Sequence, residues 1–228
     1  MRLVVELAGL PGAGKTTLAA CTSAAVVAAG VDCRVADAGI SAAASPRARA
    51  LRRVRLAGSE LVRHPLRSAG VLRAIRALGS ASSRDAAAGA VQWLAVQRLV
   101  AQARRLPGVT LVEEGPVQTA WTLALRARGD LRPLLRCLAE GCALPDLLVV
   151  VDAPTGVVSR RLGGRPSRHS RTQLLPPRER VGELDAGRTL MHDIVTTVDR
   201  PGLLVVNDGA CSPGERGEHT ARWVLRNG

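Results

Sequence analysis

Gly9-Leu10-Pro11-Gly12-Ala13-Gly14-Lys15-Thr16 is the stretch from which this 228-residue chain is best read. It fits G-x-x-x-x-G-K-[ST] without a mismatch, and the glycines let a short loop wrap with its backbone N–H groups pointing inward. On its N-terminal side, Leu3 to Ala8 is a short β-branched-rich run, broken only by Glu6, that predicts a buried parallel strand. On its C-terminal side, Lys15 to Ala29 is Ala-rich and free of Pro and Gly until Gly30, which predicts a helix ending at that glycine. Strand, glycine loop and helix make an anion cradle, because a helix N-terminus adds its partial positive charge to the loop's N–H donors. In such a loop Lys15 reaches the terminal phosphates of a nucleoside triphosphate. The Thr16 hydroxyl joins the shell of a Mg2+ ion, and Thr17 lies beside it. Gly9 to Thr17 are therefore the nucleotide-binding candidates. Of 32 basic residues Lys15 is the one lysine; the rest are arginine. A chain that uses arginine everywhere else and keeps lysine here marks a site that needs a compact ammonium rather than a planar guanidinium.

Outward from the loop, four more apolar runs predict strands: Asp32 to Ala36, Val109 to Val112, Leu147 to Val151 and Leu203 to Val206. Between the second and third strands, Arg47 to Leu61, Leu66 to Leu78 and Arg84 to Leu106 carry Leu and Val at helical spacing among arginines. Strands alternating with helices predict a parallel sheet with right-handed crossovers and ligands at the carboxyl ends of its strands. One domain over 1–228 is expected. It would have a helical region at about 41–106 and a Gly/Pro/Ser-rich loop at about 158–178.

The strand ends supply the remaining candidates. Val109 to Val112 runs into Glu113-Glu114, and a phosphate-loop enzyme needs an acidic group there to hold Mg2+ or to accept a proton from an attacking hydroxyl. Glu113 is assigned to the metal shell and Glu114 to the base. Arg160, Arg161, Arg165, Arg168 and Arg171 follow the fourth strand within the Gly/Pro/Ser stretch. Arginines closing from such a segment stabilise the charge spread over a phosphoryl group in transfer, with Arg161 and Arg165 the sharpest candidates. The four histidines adjoin no Cys or carboxylate at metal-ligand spacing, and Trp93 and Trp121 are assigned to the core.

Composition narrows the classes. Phe and Tyr are absent while Ala, Arg, Gly, Val and Leu abound, the pattern of a GC-rich genome, so part of the +13 net charge is codon bias. Without a recognised module, and with few rings to interleave with the charge, basicity alone does not make a nucleic-acid binder. Guanine selection through Asn-Lys-x-Asp is excluded because no lysine lies outside the loop. Five cysteines without a C-x-x-C pair suit neither a disulfide framework nor a zinc ribbon. Arg2 followed by a short interrupted apolar run resembles neither a signal peptide nor a spanning helix, so a cytoplasmic location without a membrane partner is expected.

Taken in order, the loop, helical region, acidic strand end, Val151-Asp152-Ala153-Pro154 strand end, arginine segment and final strand resemble the nucleotide-kinase branch of P-loop proteins, in particular thymidylate-kinase-like and adenylate-kinase-like enzymes. The resemblance implies a three-layer α/β P-loop fold, a five-stranded parallel sheet with helices on both faces and a lid segment. It also implies ATP and Mg2+ as cofactors, and a small-molecule acceptor. By the same resemblance Gln92 to Arg98 lies on the substrate-facing helix with Arg98 on a phosphate, Asp37 lies in a substrate loop, and Asn207 to Gly209 approach the ATP base. Glu113-Glu114 stands where thymidylate kinases carry Asp-Arg, and Leu94 stands where they stack the base on an aromatic. The acceptor is therefore left open among nucleotides, nucleosides, sugars, antibiotics and other small alcohols. The second reading is an ATPase switch acting on a protein partner, with Glu114 orienting water. The oligomeric state is open, a homodimer included.

Overall fold

The computed structural model describes residues 1–36, 45–80, 82–164 and 171–228. Strand β1 (Arg2–Gly9) is buried from Leu3 onward, and its side chains alternate between two helical layers. It leads through the glycine loop into helix α1 (Lys15–Ala28), then β2 (Cys33–Ala36). Three helices follow, α2 (Pro46–Arg63), α3 (Pro65–Ala77) and α4 (Ser83–Ala103), before β3 (Gly108–Val112). Next come α5 (Pro116–Ala124), α6 (Arg132–Glu140), β4 (Leu147–Asp152), α7 (Thr155–Gly163), α8 (Arg171–Leu174) and α9 (Pro177–Thr196). The chain ends with β5 (Gly202–Val206) and α10 (Pro213–Asn227).

The strands form one parallel sheet in the order β2-β3-β1-β4-β5. β1 is central: Val5 pairs with Leu111 on β3 on one side and with Leu147 on β4 on the other. The connections leaving β1 and β3 run to opposite sides of it, so the crevice at the carboxyl end of β1 is where an open α/β sheet binds ligands. On one face Val4 and Val112 pack under Val96, Leu99 and Val100 of α4. α1 and α10 pack against each other, and Gly217 of α10 lies so close to Cys21 of α1 that a Cβ there would stand 2.4 Å from the Cys21 Cβ.

One expectation is corrected. Arg160 and Arg161 do not sit in a loop but on α7, which runs on to Gly163. Val158 and Leu162, four residues apart, are fully buried against the loop near Gly12, and that apolar anchor holds the segment helical before the Gly/Pro/Ser composition begins. Arg171, assigned to the same loop, opens the short helix α8. No helix among the described residues is long and apolar enough to cross a membrane.

Candidate active site

The phosphate loop is held from its core side and open on the other. Leu10 and Ala13 are buried, whereas Thr16 and Thr17 are exposed on the first turn of α1. Gly14 has φ +104° and no room for a side chain, since a Cβ would stand 2.4 Å from Asn207 Nδ2. That asparagine, at the end of β5, donates to the Ala13 carbonyl at 2.6 Å, and its own N–H donates to the Asp152 carbonyl at 2.7 Å. It ties two strand ends to the back of the loop. Arg161 completes the support: its Nη2 donates to Asn207 Oδ1 at 3.3 Å, while its Nη1 is buried with no hydrogen-bond partner. Lys15 Nζ donates to the carbonyls of Gly9 (2.6 Å) and Leu10 (3.2 Å), which lays the ammonium over the mouth of the loop.

The acidic strand end meets the loop directly. Thr16 Oγ1 donates to Glu113 Oε2 at 2.5 Å, bringing together two residues 97 apart in sequence. A hydroxyl and a carboxylate at the rim of a phosphate loop are hard oxygen donors of the type Mg2+ takes alongside phosphate oxygens and water. Among the described residues no three His, Cys, Asp or Glu side chains gather as a metal cluster.

Beside the loop lies a cavity of about 430 Å3. The loop and Lys15 to Thr17 form one wall, Glu114 and then Gln118, Trp121, Thr122, Leu125 and Arg126 a second, and Thr172 and Glu183 the third. Glu114 Oε2 also accepts from Gln92 Nε2 on α4, at 3.4 Å. Trp121 is at once a core residue and a wall of the cavity: it is 4% exposed, with its Nε1 donating to the Gly187 carbonyl at 2.7 Å. Thr172 and Glu183 are bonded to each other at 2.6 Å.

The candidates named from sequence thus fall into four groups. Lys15, Thr16, Thr17, Glu113 and Glu114 converge on one side of the loop, and Asn207 and Arg161 brace it from behind. Arg98 is buried on α4, with an unpartnered Nε, and does not line the cavity. Asp37 and Arg165 lie outside the described residues.

Sequence reasoning missed Glu6 and Gln118. Glu6 is completely buried in β1 and accepts from the N–H groups of Val117 (3.2 Å) and Gln118 (2.7 Å) in the first turn of α5. Gln118 Oε1 in turn accepts from the Gly9 N–H at 2.9 Å. Burial pushes the Glu6 carboxyl up to about 7, against the opposing pull of those two donors. The signal was present: a lone carboxylate inside an apolar strand must have a partner.

No protein-family model matches the sequence, and neither does any curated protein sequence. Among solved structures the chain is similar to the deoxyadenosine kinase of M. mycoides with the products dCMP and a flexible dCDP bound. That match has 12% identity over 98% of this chain and 100% of that one, and a TM-score of 0.57. The same kinase with bound dATP matches at 12% identity over 98% of this chain and 99% of the other, with a TM-score of 0.59. At that identity the likeness is one of architecture, carried over nearly the full length of both chains. The five-stranded parallel sheet, the glycine loop at the end of its central strand and these matches together show that the chain has the fold of a P-loop nucleoside kinase.

Proposed function

We propose that this protein transfers the terminal phosphoryl group of ATP to a hydroxyl of a small acceptor. The observation that carries the reading is the cavity, which runs from the phosphate loop to Glu114 and Trp121 and leaves room for an organic molecule next to the terminal phosphate. A pure ATPase needs room only for water. The likeness to deoxyadenosine kinase favours a nucleoside or a related alcohol as acceptor.

In this reading the loop N–H groups and the α1 N-terminus hold the phosphates, and Lys15 moves from the Gly9 and Leu10 carbonyls onto the terminal phosphate oxygens. Thr16 and Glu113 would hold Mg2+, which when bound would neutralise phosphate charge. Glu114, at the cavity wall with Gln92 orienting it, accepts the acceptor's proton as its oxygen attacks. Trp121 and the aliphatic part of Leu125 exclude water from that oxygen. Arg161, behind the loop, acts through Asn207 by holding the loop in the shape that receives the phosphates.

The test is incubation with γ-labelled ATP and a panel of nucleosides, nucleotides, sugars and aminoglycosides. Label on an organic acceptor supports the proposal. Label passing only to water, together with a nucleotide-dependent complex in a pull-down, would replace it with the switch reading.

A further inference from the structure

A valine or leucine at position 6 would bury at no electrostatic cost, as Val4, Val5 and Leu7 do around it. A carboxyl group enclosed there works against stability unless its oxygens are satisfied. They are satisfied by the part of the molecule that carries the cavity. The turn from Glu113 to Pro116 closes over Glu6 so tightly that a Cβ at Gly115 would stand 2.3 Å from its Cδ and 2.4 Å from Oε2. Just beyond that turn, Val117 and Gln118 donate their N–H groups to the two carboxyl oxygens. Gln118 then passes the connection on through its side chain, accepting from the N–H of Gly9, the first glycine of the phosphate loop.

We propose that Glu6 is a positioning residue for the phosphoryl transfer inferred above: it fixes the first turn of α5 and, through Gln118, the start of the phosphate loop, so that the loop and Glu114 keep one separation. It touches neither nucleotide nor acceptor. Its effect is to hold base and phosphate as one body, and small displacements between reacting groups cost rate steeply. The surroundings leave Glu6 as the group that titrates within this connection. Its register partners Val112 and Leu148 are apolar, α5 contains no charged side chain, and α4 presents Val96, Leu99 and Val100 to this face of the sheet. The charged groups around this connection are Lys15, whose ammonium donates to the Gly9 carbonyl, Asp146, which accepts from the Val4 N–H, Glu113 and Glu114 at the strand end, and the buried Arg98 on α4.

The experiment is an NMR pH titration of the backbone amides, run beside steady-state kinetics. In the wild-type protein the Gly9, Val117 and Gln118 amides should shift together with a midpoint about 7, and Glu6→Gln should abolish the step at all three. In Gln118→Leu the Val117 amide should still titrate while Gly9 stops following. In Glu6→Gln, kcat should fall by about 10- to 100-fold with the KM for ATP within about 3-fold, and the kcat profile should lose its inflection near neutrality. Glu6→Asp, which keeps the charge but withdraws it by one methylene, should recover part of that rate. A Gly9 amide indifferent to a titration that moves the α5 amides would overturn the proposal. So would a kcat loss in Glu6→Gln matched by an equal loss of folded protein. The amide titration needs no turnover, so a wild-type protein that transfers phosphate to nothing sinks the functional reading and leaves this coupling to be decided on its own.

Discussion

Lys15 is where a single side chain matters most. Its ammonium reaches into a loop whose carbonyls of Gly9 and Leu10 lie within 2.6 and 3.2 Å, a space cut for a slim cation. Lys15→Arg should lower ATP turnover by about 100-fold or more while leaving the circular dichroism spectrum and unfolding midpoint unchanged, because a bidentate guanidinium cannot thread that opening. Glu6 makes the opposite kind of prediction, one about stability. Its folded carboxyl is raised from 4.5 to about 7, so the native state binds its proton more tightly than the unfolded chain does. The corresponding stability is fully present below the unfolded value and is lost as pH rises through the folded one. The slope amounts to about 3 kcal/mol over that interval. Urea unfolding between pH 4 and 8 should show this decline, and Glu6→Gln should flatten it.

Between elements, close approach rather than charge sets the limits. α1 and α10 cover one face of the sheet, and the absence of a side chain at Gly217 lets them meet at Cys21. Gly217→Ala should therefore destabilise by about 1–3 kcal/mol by overpacking, although alanine alone would favour the helix by about 1 kcal/mol. Thermal unfolding reads the difference as a fall of about 2–4 °C per kcal/mol. Gly115→Ala presses instead on the Glu6 carboxyl. It should disturb the turn bearing Glu113 and Glu114 and reduce kcat by more than its effect on stability would explain. α10 illustrates what an element can announce in advance: Ser212 and Glu215 form a capping box in the structure, at a spacing that is plain in the sequence. α7 shows the reverse, since its helical continuation through Arg160 and Arg161 depends on Val158 and Leu162 finding the loop to pack on.

For the molecule as a whole, nucleotide should act as a clamp on the sheet's carboxyl edge, where the loop, β3, β4 and β5 ends are tied together through Thr16, Glu113, Asn207 and Asp152. With ATP and Mg2+ at about 100 times Kd, stability should rise by about 2.7 kcal/mol. Differential scanning fluorimetry would register this as an upward shift of about 5–10 °C for a chain of this size, one that Lys15→Arg should lose. How much of this protein is written in its sequence follows from the range of its contacts. The phosphate loop, its flanking strand and helix, and the parallel α/β class are written locally, because a glycine's backbone freedom, a strand's apolar run and a helix's caps depend on neighbours a few residues away. Glu113 and Glu114 were legible as well, since a strand end names its own position. What links residues distant along the chain could be decided only in three dimensions: Thr16 against Glu113, Asn207 behind Ala13, Trp121 as a cavity wall, and Glu6 bonded to α5. The burial that gives Glu6 its raised pKa, and the hydrogen bonds that satisfy it, come from elements more than a hundred residues away. Local sequence says that Glu6 needs a partner, and not which distant elements enclose it.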